Sequence, residues 1–107
     1  MPYRELTADE LQARLAEGAD LLILDVRTAP EYAQAHLPGS RLIPLDELAL
    51  RYTELDPERE TVVVCARGIR SAAVALWLSQ QAGFDRCYHL RGGLMEWTGP
   101  IETGPPT

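Results

Sequence analysis

Short, wholly apolar runs alternate along this chain with segments whose apolar residues recur every three or four positions. Leu21, Leu22, Ile23 and Leu24 form one such run, and Val62, Val63 and Val64, led by Thr61, form another. Runs this short, with no polar alternation, predict strands buried on both faces. Two further strands are predicted at residues 41–43, closed by Pro44, and at 86–90. Helical segments lie between them. Thr7 opens a helix whose apolar positions Leu11 and Leu15 sit four apart; Glu10, three after Thr7, completes a capping box, and Gly18 ends the helix. Thr28 and Pro30 begin a short helical turn through Ala35. Asp46 is placed to cap a helix from residue 47 to about 52. Residues 71–81 predict the longest helix, with Val74, Ala75, Leu76 and Leu78 toward a core and Gly83 as terminator. Gly92 and Gly93 then lead into a short helix reaching Trp97. Residues 99–107, interrupted by Pro and Gly, predict a tail or a strap over the surface.

Strands alternating with helices imply an α/β fold with a mainly parallel central sheet flanked by helices. The length suits one domain over residues 1–107, with its core at about 7–97. In such sheets ligands bind beyond the carboxyl ends of the strands. Asp25, Cys65 and Gly92 all fall just past those ends, so the unusual residues gather on one edge.

Composition narrows the partners. Apolar residues make up 46% and charged residues 24%, with a formal charge of −6, a balance that argues against nucleic acid or an anionic membrane as partner. The longest apolar runs are far too short to cross a bilayer. The first ten residues hold no apolar stretch of the secretory kind, which makes the cytoplasm the default location. All ten basic residues are arginine, with no lysine or asparagine, a bias of genome composition or thermal adaptation. Two cysteines are too few and too far apart for a zinc site or a disulfide framework. No Gly-rich phosphate motif or ligand cluster is present, so no metal and no cofactor are implied.

The chemistry concentrates in Cys65-Ala66-Arg67-Gly68-Ile69-Arg70-Ser71. A strand delivers the cysteine to a short turn, and a helix follows at once. That order places Cys65 where backbone N–H groups converge and a helix N-terminus adds partial positive charge. Both favour thiolate, the reactive form, whose pKa in such settings falls to roughly 3.5–7.5. Gly68 lets the loop reach positive φ and approach a ligand closely. With Arg67 and Arg70 alongside, the loop suits attack on an anion, because cations and oriented dipoles offset like-charge repulsion.

Taken in order, Asp25-Val-Arg27, Glu31-Tyr32, His36-Leu-Pro-Gly-Ser40 with Ile43-Pro44, the Cys65 loop, Leu90-x-Gly92-Gly93 and Trp97 resemble a rhodanese domain over residues 7–97. The resemblance implies sulfur transfer. Cys65 would take the outer sulfur of thiosulfate or a similar anionic donor, release sulfite and hold a persulfide, which a thiol, cyanide or protein acceptor removes. The loop Ala66, Arg67, Gly68, Ile69, Arg70 and Ser71 would supply the N–H groups around the anion. Two other readings stand beside it. One is an interaction or sulfur-carrier module of the same fold with little activity. The other is a phosphatase or arsenate reductase, whose related loop puts five residues between cysteine and arginine where this one puts four.

The remaining residues have plainer expectations. Arg70 shapes the loop by pairing with an acid such as Glu31, or else touches the anion. Arg67 points outward toward substrate or partner, and Ile69 forms an apolar rim. Asp25 and Arg27 form an ion pair bracing the sheet edge. His36 braces the Leu-Pro-Gly turn. His89 is a solvated or satisfied side chain and not a base, because an ionised Cys65 needs none. Trp77 and Trp97 are packing aromatics. Cys87, at the opposite end of a strand parallel to that of Cys65, sits about four residues of rise or ~13 Å away. That is beyond disulfide reach, so Cys87 belongs to the core.

Overall fold

The computed structural model describes residues 3–106; Met1, Pro2 and Thr107, the extreme ends of the expected domain, lie outside the described residues. Five strands, β1 (Arg4–Leu6), β2 (Leu22–Asp25), β3 (Arg41–Leu42), β4 (Thr61–Val64) and β5 (Cys87–Leu90), form one sheet. Its order is β1-β5-β4-β2-β3, and every pairing is parallel. Helices α1 (Ala8–Ala16), α2 (Ala29–Gln34), α3 (Leu48–Arg51) and α4 (Ile69–Gln81) connect the strands.

Side chains of the sheet alternate between two apolar layers. Val63, Cys65 and Cys87 pack with Val74, Ala75, Leu78 and Phe84 on the α4 face. Val62, Val64, Tyr88 and Leu90 pack with Leu11 and Leu37 on the other. Strand β4 has neighbours on both edges and is fully buried, as its apolar run requires. Cys65, the residue after it, therefore leaves the centre of the sheet at its carboxyl edge.

The predicted Thr7–Glu10 capping box forms, and a second one the sequence reading did not name forms at Thr28–Glu31, with the Thr7 and Thr28 hydroxyls accepting from the Glu10 and Glu31 N–H groups. Several expectations change. Residues 4–6 form a strand the sequence pattern did not predict: only Leu6 of the three is buried, and an exposed edge strand carries almost no apolar signal. Helix α4 starts at Ile69, two residues early, because Gly68 at φ +92° serves as its N-cap. Asp46 caps nothing; the chain enters α3 through a 3-10 turn, Leu45–Glu47, that starts after Pro44. Leu76, expected in the core, is exposed on the outer face of α4.

The C-terminal segment is a strap. Glu102 and His36 exchange backbone hydrogen bonds of 2.9 and 2.8 Å, and Gly104 N–H donates to Ala33 O at 2.9 Å. His36 braces α2 and this strap instead of the Leu-Pro-Gly turn: its ring stacks on Tyr32 at 3.8 Å and Nδ1 meets Tyr32 O at 2.7 Å. Trp77 packs edge-on against Tyr52, and Trp97 covers the α1 face of the core.

Candidate active site

The loop after β4 turns its N–H groups inward and its first carbonyls outward. Gly68 and Ser71 N–H donate to Cys65 Sγ at 3.1 and 3.3 Å. On the outer side, Leu94 N–H donates to Cys65 O at 2.9 Å and Met95 N–H to Ala66 O at 3.0 Å. Those donors belong to the 3-10 turn Gly93–Glu96 that follows β5. Gly93 makes the approach possible, since a Cβ there would overlap the Ala66 carbonyl. The Gly92-Gly93 pair is thus the outer clamp of the cysteine loop.

Cys65 is 1% exposed and lies at the floor of a cleft of about 320 Å³ lined by Glu31, Ala66, Arg67, Ile69 and Arg70. Burial alone pushes the thiol up. The Ser71 hydroxyl and the N–H groups of Ser71, Gly68 and Arg67 together outweigh it and hold the thiol below its ordinary value. Cys87 shows the contrast. Buried with no such donors, its thiol is pushed up to about 12. Thr61 stands opposite Cys87 in the β4–β5 register, which leaves four residues of strand between the two sulfurs' positions.

The two arginines separate. Arg70 Nη1 and Nη2 donate to Glu31 Oε1 and Oε2 at 2.9 and 3.1 Å, a bidentate pair about one third exposed. Arg70 draws the Glu31 carboxyl down from 4.5 to about 2, against the opposing effect of burial. Arg67 is exposed at the cleft, and among the described residues no carboxylate pairs with it. Ile69 is 77% exposed beside it, at the rim.

Asp25 and Arg27 stand one step behind. The guanidinium Nε and Nη2 donate to the fully buried Asp25 carboxylate at 3.0 and 2.8 Å, and Nη2 also donates to Ala35 O at 2.6 Å. This ties the end of β2 to the end of α2, the helix that carries Glu31. A continuous set of contacts therefore runs from Asp25 through Arg27 and α2 to Glu31, Arg70 and the loop.

Sequence reasoning missed three parts of the site: the Gly93 clamp, the Ser71 hydroxyl, and the pair His89 and Glu5. Ser71 Oγ lies 3.4 Å from Cys65 Sγ and 3.2 Å from His89 Nδ1, and His89 Nε2 lies 2.8 Å from Glu5 Oε2. His89 is a satisfied, buried side chain and not a solvated one. Strand alternation places it on the same face as Cys87, which would have pointed to α4. Elsewhere, Arg41 and Arg51 border a larger cleft near α3, but Glu54 and Glu47 already occupy them. Among the described residues no three His, Cys, Asp or Glu side chains gather as a metal cage.

A parallel α/β sheet with a cysteine in an N–H-lined loop at its carboxyl edge defines a class of fold with a single conspicuous thiol site. The chain belongs to the rhodanese-like domain family, which it matches over residues 7–100. It is 36% identical over 93 residues to a sulfurtransferase of Allochromatium vinosum, covering 87% of this chain and 86% of that one. It is 32% identical to the thiosulfate sulfurtransferase GlpE of Shewanella oneidensis, over 89% of this chain and 92% of that one. It also spans 52% and 38% of two longer curated relatives. Among solved structures, a rhodanese-like domain protein from Staphylococcus aureus superposes with a TM-score of 0.84 at 32% identity, over 94% of this chain and 97% of that one. No helix among the described residues is long and apolar enough to cross a membrane.

Proposed function

We propose that this protein is a sulfurtransferase that carries sulfane sulfur as a persulfide on Cys65, with thiosulfate or a similar anion as donor. The Cys65 thiolate attacks the outer sulfur; the donor's sulfur–sulfur bond breaks and sulfite leaves with its electron pair. A thiol, cyanide or protein acceptor then attacks the terminal sulfur and returns Cys65 as thiolate. The observation that carries this reading is the Cys65 sulfur itself, ringed by N–H donors at 3.1 and 3.3 Å and held below its ordinary pKa although buried. The same donors suit a persulfide anion as well as a thiolate. Arg67 is the cation left to meet the donor. Asp25, Arg27 and Glu31 serve the site by fixing α2 and Arg70. The committed pairing of Arg70 with Glu31 weighs against a phosphatase, which needs its loop arginine for the phosphate. Two free cysteines, one poised to react, suit a reducing compartment such as the cytoplasm.

Intact-protein mass spectrometry tests the proposal. Treatment with thiosulfate adds one sulfur atom to the wild-type protein and none to Cys65→Ser, and cyanide releases it as thiocyanate. An adduct that persists in Cys65→Ser overturns the assignment of the nucleophile. No adduct from thiosulfate, 3-mercaptopyruvate or a persulfide donor favours the interaction module.

A further inference from the structure

The hydrogen bonds behind Cys65 form a line, from Sγ to Ser71 Oγ, to His89 Nδ1, and from His89 Nε2 to the carboxylate of Glu5. Ser71 is fully buried and His89 nearly so, whereas the Glu5 carboxylate is about half exposed. The line thus joins the buried sulfur to a carboxylate at the solvent surface, and none of Ser71, His89 and Glu5 lines the cleft at Cys65. Its geometry comes from the sheet: β1 pairs with β5 so that Glu5 stands opposite His89, and both side chains share the face covered by α4.

Counting protons along the line leaves two arrangements that satisfy every pair. An ionised Glu5 only accepts, so Nε2 carries a proton in both. If the imidazole is neutral, Nδ1 accepts the Ser71 hydroxyl proton, and Ser71 Oγ in turn accepts from the Cys65 thiol. If Cys65 is a thiolate, the Ser71 hydroxyl donates to sulfur, Oγ accepts from Nδ1–H, and the ring carries both protons. The mixed arrangements each break a pair. A thiolate with neutral His89 makes Ser71 choose between sulfur and Nδ1. A thiol with imidazolium leaves the buried Ser71 proton without an acceptor, a costly state.

We propose that His89, oriented by Glu5, takes up the Cys65 proton through the Ser71 hydroxyl, so that thiolate and imidazolium form together. The S–H bond breaks as its proton joins Ser71 Oγ, and the original Ser71 proton moves to Nδ1. Charge is separated and no electrons are exchanged. Glu5 is then the counter-ion of the imidazolium, and the imidazolium, two hydrogen bonds away, that of the thiolate. The groups that meet His89 from the elements around it fit this role. From β1 come Glu5 and, just before it, Tyr3, whose ring meets the imidazole edge-on at 5.6 Å. From α4 comes Ser71, with Arg70 turned away to Glu31, and from the loop comes Cys65. Strand β4 offers only Val63, which is apolar. This step bears on sulfur transfer only if Cys65 is the nucleophile proposed above, but the proton transfer is measurable without any donor.

The test is the pH dependence of Cys65 alkylation by iodoacetamide in wild type, His89→Gln and Glu5→Gln, located by peptide mass spectrometry. Glutamine at residue 89 can donate to Ser71 but cannot take up a proton. Its thiolate midpoint is expected to rise by about one pH unit, so that alkylation falls about tenfold at pH values well below the wild-type midpoint, and in Glu5→Gln about threefold. An unchanged midpoint in a folded His89→Gln variant overturns the relay. Nitrogen NMR of the wild-type imidazole gives the same answer without mutating the core. The ring should carry both protons while Cys65 is a thiolate, and lose Nδ1–H once the sulfur is methylated. A singly protonated ring in both states overturns the proposal. If the relay holds but no donor forms a persulfide, the sulfurtransferase reading fails alone.

Discussion

Replacing Glu31 with Gln separates two roles of one side chain. Gln keeps the capping box with Thr28, since either residue type serves there. It cannot give Arg70 a charge. The bidentate contact with Arg70 is the main reason the Glu31 carboxyl falls from 4.5 to about 2. Taken at face value, that drop corresponds to roughly 3 kcal/mol. Both side chains are about one third exposed, so solvent and salt reduce the worth of the pair to about 1 kcal/mol. The sign follows from the direction of the shift. The folded value lies below the unfolded one, so the stability is fully present above about pH 4.5 and is lost as pH falls toward about 2. Urea unfolding of wild type and Glu31→Gln across this range is the assay. The variant should be less stable by about 1 kcal/mol at neutral pH, and the two should converge in acid. A gap as large near pH 2 as at neutral pH would refute the reasoning, because the contact would then act through packing and not through charge.

Two further substitutions probe the loop from opposite sides. Arg67→Ala removes the cation at the cleft mouth while touching no core contact, so KM for thiosulfate should rise about tenfold with stability unchanged within about 0.5 kcal/mol. An unchanged KM in steady-state assays takes Arg67 out of donor binding. Gly93→Ala forces a Cβ into the Ala66 carbonyl and should cost about 3 kcal/mol and most of the activity, whereas Gly39→Ala, also at positive φ but in open space, should cost about 1 kcal/mol. Equal urea midpoints for the two variants would remove the clamp from the account.

Much of this fold was legible in the sequence because its signals are local. The β2 and β4 runs are too short and too apolar for anything but buried strands, and the Thr7–Glu10 box and the Thr28–Pro30 pair read directly as helix starts. The cysteine loop was legible for the same reason: strand, glycine and helix follow one another without interruption. What escaped depends on residues distant in sequence. Arg4 and Glu5 are exposed on an edge strand, so β1 left no apolar trace, and without β1 nothing placed Glu5 beside His89. His89 then read as an ordinary strand residue, with nothing in the sequence to place it beside Ser71. The outer clamp escaped likewise, because Leu94 and Met95 act through backbone N–H groups that carry no residue-type signature.

The acidity of the whole chain and the anion chemistry of its loop are reconciled by distance. Surface charges are screened over about 8–10 Å, whereas the groups that decide the state of Cys65 lie near 3 Å from its sulfur. Most of the nearby side-chain charge is already neutralised: Arg27 by Asp25, Arg70 by Glu31. These pairs contribute geometry more than field, holding α2 against the loop so that the Gly68 and Ser71 N–H groups stay aimed at sulfur. Dipoles fixed in this way require no reorganisation when charge appears on the thiolate, and none if, as proposed, it moves outward onto a second sulfur. Arg67, exposed at the cleft, is the cation proposed to meet an entering anion, and the proposed Ser71–His89–Glu5 relay would add a counter-charge from behind. A formal charge of −6 on the surface is thus compatible with a thiolate at the centre, because the field at Sγ is built within hydrogen-bond distance of it.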